Sequence, residues 1–259
     1  MMSTALTPAA GDSLQDLCEQ GSQLLVQMRY LEAEAALAAA EQIAWEARDW
    51  DTLSRLYMPL QETRRQRRQR CGEGTVKLDW ISQEPQEQLN AETILQAQPA
   101  GQLLVAGWGA IEPAVQVRRL AAERGLYVET FLAAVYPIVD SPFKPDAAAK
   151  VVLIVPAVDT PLPDAQPRSP QELSALLPVG SLLLNAEELP AGDRPGNTDT
   201  YAQVMTLWER LHLPFLKAAD AIVDPLTRMS AYRDVTRIDY ACELAHQRLS
   251  DVAGELLRS

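Results

Sequence analysis

Between residues 75 and 189, five short apolar runs alternate with stretches of helical periodicity. The runs are TVKLDWI (75–81), QLLVAGW (102–108), YVETFLAAV (127–135), KVVLIVPAV (150–158) and SLLLNAEEL (181–189). Four of them are rich in β-branched or aromatic residues, which pack well on a pleated surface; SLLLNAEEL is leucine-rich instead. AETILQAQ, EPAVQVRRLAAERG and SPQELSALL fall between runs and read as helices. The last of these opens on Ser169, with Pro170 at the first helical position and Glu172 three residues after the serine, the signature of a capping box. Strands that alternate with helices predict a layered sheet with mainly parallel strands. A run as continuous as VVLIV suits a strand covered on both faces. The fold class expected is therefore α/β, with a central, mainly parallel layered sheet.

Helical segments flank that unit. From Asp12 to Arg70, Leu14, Leu17, Cys18, Leu24, Leu25 and Met28 recur at three-to-four spacing, with Asp12 or Ser13 able to cap the start. A turn near Arg29–Tyr30 leads into the alanine-rich LEAEAALAAAEQIAWEA, and Asp49 and Asp51 bracket the break before TLSRLYMPLQETRRQRRQR. The first two helices are expected to pair as an antiparallel hairpin, and Pro59 is expected to kink the third. After LPAGDRPGNTD the chain is helical again to its end, with an Asp224-Pro225 helix start. The expected division is a disordered N-terminus (1–11), an N-terminal helical segment (12–72), the α/β unit (73–198) and a C-terminal helical segment (199–259). Recurrent prolines make 140–168 mostly loop, a flap beside the sheet.

The segment AYRDVTRIDYACELAHQRLSDVA resembles the junction between two tetratricopeptide repeats. Tyr232 takes the place of the late aromatic of the second helix, Val235 follows three residues later, and Tyr240 stands at the turn position. Ala245, His246, Leu249 and Ser250 match the start of a following repeat. LLVQMRYLEAEAALAAAEQ is similar to one as well, with Tyr30, Ala33 and Ala39 at matching spacing. The chain departs from the pattern at Tyr240, where proline is usual, and at Gln27 and Ser250, where glycine is preferred. No third repeat is visible, and such arrays need about three to bury a continuous core. The flanks are accordingly expected to pack on the central unit or on a second copy of the chain. The resemblance implies tetratricopeptide-like flanks and protein–protein contact through a helical groove; it assigns no binding residues.

Composition excludes more than it selects. The 259 residues are 47% hydrophobic and carry a formal net charge of −12, which repels phosphate backbones and makes a nucleic-acid partner unlikely. The three cysteines, Cys18, Cys71 and Cys242, are widely spaced, and only His212 and His246 could supply imidazole, so no metal site is expected. MMSTALTPAAGDS lacks a secretory pattern, and KVVLIVPAV is too short to span a bilayer. The expectation is a cytoplasmic protein without a membrane partner.

Against that acidic background, RRQRRQR (64–70) stands out. At helical spacing Arg64, Arg67, Arg68 and Cys71 share a face, while Arg65 and Arg70 diverge from it. Cations near a helix end followed by Gly72 complement the helix dipole. The surplus of acidic residues makes ion pairing within the chain the first expectation; an acidic partner gripped by Arg64, Arg67 and Arg68 is the other.

The site-like stretch is VAGWGAIEPAV (105–115). A strand ends at Gly107-Trp108-Gly109 and a helix starts near Glu112-Pro113, the kind of turn at which ligands gather in open α/β sheets. It lacks the third glycine of a dinucleotide fingerprint, and Glu112 repels a phosphate, so a tight turn with Trp108 over the sheet edge competes with ligand binding. Glu187-Glu188 and Asp220/Asp224 read as ordinary solvated carboxylates. His212 and His246 read as hydrogen-bonded core or interface residues. Trp45, Trp50 and Tyr57 form an aromatic group that anchors either a core or a partner. No Walker lysine or Gly-x-Ser-x-Gly elbow occurs. The function expected is therefore a non-catalytic interaction or adaptor protein, with another protein or a second copy of itself as partner and no cofactor. Its alternative is a small-molecule binder or enzyme using the 107–112 turn.

Overall fold

The protein is described by a computed structural model over residues 13–139, 149–157, 161–185, 188–189 and 194–258. The expected disorder of 1–11, capping by Asp12, Pro142, Pro145 and Glu187 lie outside these residues. The chain forms two compact units: one combines the residues up to Gln69 with those from His212 onward, and the other comprises Arg70–Leu211.

The first unit is helical. α1 (Leu14–Val26) begins at a capping box in which Ser13 and Asp16 satisfy each other's backbone N–H groups. α2 (Tyr30–Ala47) follows after a short turn and packs against α1. α3 (Trp50–Glu73) is one continuous helix through Pro59, and its residues up to Gln69 belong to this unit. From the other end of the chain come the last turns of α7 (Thr198–Asp220), α8 (Pro225–Ile238), capped by Asp224, and α9 (Glu243–Arg258). Helices from the two ends share one core, in which Leu17, Leu37, Leu53 and Tyr57 meet Met229, Tyr232, Val235 and Leu249. The small side chains of Ala33, Ala36, Ala40 and Ala44 are buried along α2. The flanks therefore bury their apolar faces largely against one another.

The second unit is a three-layer α/β sandwich. Its sheet contains β1 (Thr75–Ile81), β2 (Gly101–Trp108), β3 (Val128–Ile138), β4 (Ala149–Ile154) and β5 (Leu182–Asn185) in the order β1-β2-β3-β4-β5. β1, β2 and β3 pair in parallel, β4 pairs antiparallel with β3, and β5 pairs antiparallel with β4. Four strands thus point one way and only β4 opposes them, as the mainly parallel pattern predicts. α4 (Ala91–Ala97), α5 (Glu112–Glu123) and α6 (Pro170–Leu176) cover one face, where Ile94, Val117 and Leu173 pack on Val105, Ala134, Tyr136 and Leu153. The capping box of Ser169 and Glu172 is present at the start of α6. On the other face Trp208 of α7 stacks on Phe131 with ring centroids 4.2 Å apart and donates from Nε1 to Gln102 Oε1 at 3.4 Å. Every residue of β3 is buried, the consequence of cover on both faces.

Phe131 is fully buried against that tryptophan. Phe131→Ala should therefore destabilise the protein by about 3–5 kcal/mol in urea titrations, with the second unit losing protection from hydrogen exchange first.

Candidate functional site

The strand-to-helix turn at 107–112 is filled by the protein's own chain. Gly109 adopts φ +60°, and a Cβ there would lie 2.6 Å from the Cβ of Ala165. A Cβ at Gly107 would lie 2.8 Å from the Ala110 carbonyl oxygen and 2.8 Å from the Pro113 ring. Both glycines therefore serve close packing. The 161–168 segment is tied over the turn: Tyr136 donates its hydroxyl to the Pro163 carbonyl at 3.0 Å, and Val139 N–H donates to Arg168 O at 3.0 Å. Burial pushes the Tyr136 hydroxyl pKa up to about 12. Trp108 is half-buried, Glu112 is exposed, and Ile111 at the helix start makes no side-chain cap. The strictly sequential strand order also lacks the reversal that opens a ligand crevice in doubly wound sheets.

All five arginines of RRQRRQR are paired within the chain. Arg64 and Arg67 both reach Glu34 of α2, at 3.2 and 2.7 Å. Arg68 meets Asp239 at 2.7 Å with both side chains buried. Arg65 pairs with Glu62 at 2.8 Å and Arg70 with Glu73 at 2.9 Å. The guanidinium carbons of Arg67 and Arg68 lie 4.5 and 4.8 Å from the centre of the Tyr240 ring. Burial would raise the Glu34 and Asp239 carboxyls, but the arginines beside them outweigh it and hold both below the usual carboxylate range.

Two histidines extend this polar belt. His212 Nδ1 lies 2.6 Å from Asp239 Oδ2. Burial favours its neutral form, yet the bonds to Asp239 and Cys242 prevail and its pKa rises to about 10. His246 is fully buried; its Nδ1 lies 2.8 Å from the Cys242 carbonyl and its Nε2 3.0 Å from Arg64. A carbonyl only accepts and a guanidinium only donates, so the ring is the neutral Nδ1–H tautomer. Burial first, and Arg64 second, push its pKa down to about 4.

Trp45 and Trp50 stand edge to face with centroids 6.2 Å apart, and the Arg233 guanidinium covers Trp45 at 4.1 Å. Both are half-buried and line a cavity of about 370 Å³ with Arg48 and Leu226. Tyr57 departs from this group: it is fully buried and donates to Glu41 at 3.3 Å. Asp224 caps α8, Asp220 accepts from Tyr232 at 2.6 Å, and Glu188 accepts from the Asn185 N–H at 3.1 Å. Among the described residues, no group of three or more His, Cys, Asp or Glu side chains could hold a metal ion.

A groove that the sequence reading did not single out runs between α1 and α3, with a volume of about 470 Å³. Cys18, Ser22 and Gln23 form one wall, Thr52, Arg55 and Pro59 the other, and Leu37 and Leu56 contribute to its base. Pro59 has no N–H to give the Arg55 carbonyl, which leaves that carbonyl without its helical donor at the groove. Burial pushes the Cys18 thiol pKa up. Two signals for the groove were present in the sequence: Gln15, Cys18, Glu19 and Ser22 at helical spacing, and a proline inside a helical run.

No family model matches the chain, and comparisons with curated proteins and with solved structures gave no significant match.

Removing one partner of a buried ion pair strands the other. Arg68→Gln should therefore cost about 3–5 kcal/mol, read as a lowered urea midpoint, whereas Arg65→Gln at the surface should change it by under about 1 kcal/mol. The two histidines set opposite pH slopes. The proton His212 holds in the folded state stabilises fully below the unfolded histidine pKa of about 6.5 and is lost as pH rises through about 10. His246 refuses a proton that the unfolded chain accepts, so stability falls as pH drops from about 6.5 through about 4. Urea midpoints measured against pH should peak near 6.5, and His212→Gln should flatten the alkaline limb.

Proposed function

We propose that this is a non-catalytic protein–protein interaction module whose helical unit holds a segment of its partner in the groove between α1 and α3. The observation that carries this reading is the groove itself: about 470 Å³, apolar at its base and polar along its walls, with a carbonyl freed by Pro59 on its α3 side. An extended segment could give that carbonyl an N–H and place apolar side chains on Leu37 and Leu56, as grooves in helical proteins receive peptides. The likeness of the α1–α2 stretch to a tetratricopeptide repeat points the same way. The half-buried Trp45 and Trp50 offer a second anchoring surface on the same unit. Arg64, Arg67 and Arg68 serve in this reading as internal ties that hold the groove's helices in place. The alternative, ligand binding at 107–112, gains no support from a turn occupied by Ala165 and its neighbours. Among the described residues no helix is long and apolar enough to cross a membrane. That Cys18, Cys71 and Cys242 form no disulfide accords with work in a reducing cytoplasm.

Ser22 is exposed on the groove wall, so Ser22→Trp fills the space while leaving the core untouched. Affinity capture with wild type and variant, followed by calorimetry on the partner so identified, tests the reading. Light scattering on the purified chain tells a second copy from a different protein. The expected result is an affinity at least about ten-fold weaker for Ser22→Trp, equivalent to about 1.4 kcal/mol, with an unchanged melting temperature. Equal affinity would move the interface away from the groove, and a lone monomer that captures nothing would remove the proposal.

A further inference from the structure

At the break between α2 and α3 an arginine occupies a position that favours glycine. Arg48 N–H donates to Trp45 O at 3.1 Å and Asp49 N–H to Ala44 O at 2.9 Å, the paired bonds of a Schellman motif. The residue between them must be left-handed, and Arg48 is, at φ +54° and ψ +37°. A side chain strains the backbone there and glycine does not. Local structure gains nothing from the guanidinium in return: among the described residues it makes no hydrogen bond or ion pair. The carboxylates nearest to it in sequence are engaged elsewhere, Glu46 by Gln42, Asp49 by Thr52 and Asp51 by Arg55. A chain of net charge −12 thus keeps an unpaired cation beside its Trp45–Trp50 pair.

Arg48 lines the cavity of about 370 Å³ together with Trp45, Trp50, Leu226, Thr227 and Ser230. The two tryptophan rings meet at 81°, and Arg233, tied to Glu41 at 3.1 Å, covers Trp45 and holds it in place. Apolar surface with a few polar groups to orient the guest is the lining of a small-molecule site. Charge selects that guest. Arg48 and Arg233 repel a cation, the usual occupant of an aromatic pocket. One lining arginine suits a monoanion, and Asp224, which accepts from the lining Thr227 hydroxyl at 2.6 Å, opposes a phosphate dianion. The planar fork of a guanidinium matches both oxygens of a carboxylate. We propose that this pocket binds a small aromatic carboxylate, its ring against Trp45, Trp50 and Leu226 and its carboxylate paired with Arg48. The Ser230 hydroxyl is a further donor. The strained arginine is then kept for binding and not for folding. The site is separate from the groove between α1 and α3, and either reading stands if the other fails.

Phenylacetate and indole-3-acetate are the probes, titrated into the full-length protein while NMR follows the indole N–H signals of its five tryptophans. Trp45→Phe and Trp50→Phe assign the two signals of interest. Both carboxylates are expected to shift Trp45 and Trp50 and to leave Trp80, Trp108 and Trp208 in place, with half-saturation below about 1 mM. Phenylacetamide keeps the ring and loses the charge, and phenethylamine reverses the charge. Each is expected to bind at least about ten-fold more weakly than phenylacetate. Arg48→Gly is expected to weaken phenylacetate at least about ten-fold while its urea midpoint stays level or rises, a combination that loss of folding cannot produce. No saturation by either carboxylate, equal shifts at all five tryptophans, equal binding of the amide, or full affinity in Arg48→Gly would each overturn the proposal. So would tighter binding of a short peptide ending in phenylalanine, which would make the guest a protein terminus. Should Arg48→Gly fold poorly, the contrast between phenylacetate and phenylacetamide in wild type decides alone.

Discussion

Asp239 is an acid with almost no contact with water, and the helical unit is organised around keeping it charged. Its side chain is 2% exposed, and taking a carboxylate out of water costs several kcal/mol unless cations replace the lost hydration. Arg68 of α3 takes one oxygen and His212 of α7 the other. The carboxylate thereby ties a helix of the N-terminal segment to two elements of the C-terminal one. A slide of α3 by one turn would leave the charge stranded, so the pair specifies the register of the helices whether or not it adds net stability. Glu34 does the same between α2 and α3 by accepting both Arg64 and Arg67. The apolar core formed by Leu37, Tyr57, Met229 and Leu249 supplies the bulk of the cohesion, and the ion pairs select one packing among the many that greasy helices allow.

This belt also explains how one short segment can be so basic in so acidic a protein. Arg64 meets Glu34, 30 positions away, and His246, 182 positions away. The same environment drives the two histidines apart: His212 gains a proton because it faces a carboxylate, whereas burial first and the Arg64 guanidinium second keep His246 neutral. Burial acts on both in the same direction, so the difference belongs to the neighbouring charge.

The α/β unit is built on another economy. Sequential strand order lets α4 and α5 lie on one face while α7 covers the other, which buries β3 on both sides. The same order removes the crevice that makes doubly wound sheets good binders of nucleotides. Gly107 and Gly109 allow 161–168 to settle on the end of β2, so the turn that resembles a ligand site works as packing. The groove between α1 and α3 lies in the helical unit instead.

Local rules sufficed for elements and for fold class. Alternating apolar runs placed the strands, Ser13 as one of two candidate caps and the capping box of Ser169 and Glu172 marked the starts of α1 and α6, and helical spacing put Arg64, Arg67 and Arg68 on one face. These features depend on neighbours within a turn or a strand, and so they are written in consecutive residues. The partners were not: Asp239 for Arg68, Glu34 for Arg64 and Arg67, Trp208 for Phe131, and Ala165 over Gly109. Nor could spacing show that helices from opposite ends of the chain share a core, that α1 and α3 leave a groove, or that His212 of α7 meets the carboxylate of Asp239. Charge pairing and cavity formation depend on distance in space. Once the chain has folded, that distance is set by the packing of whole helices, which no local pattern encodes.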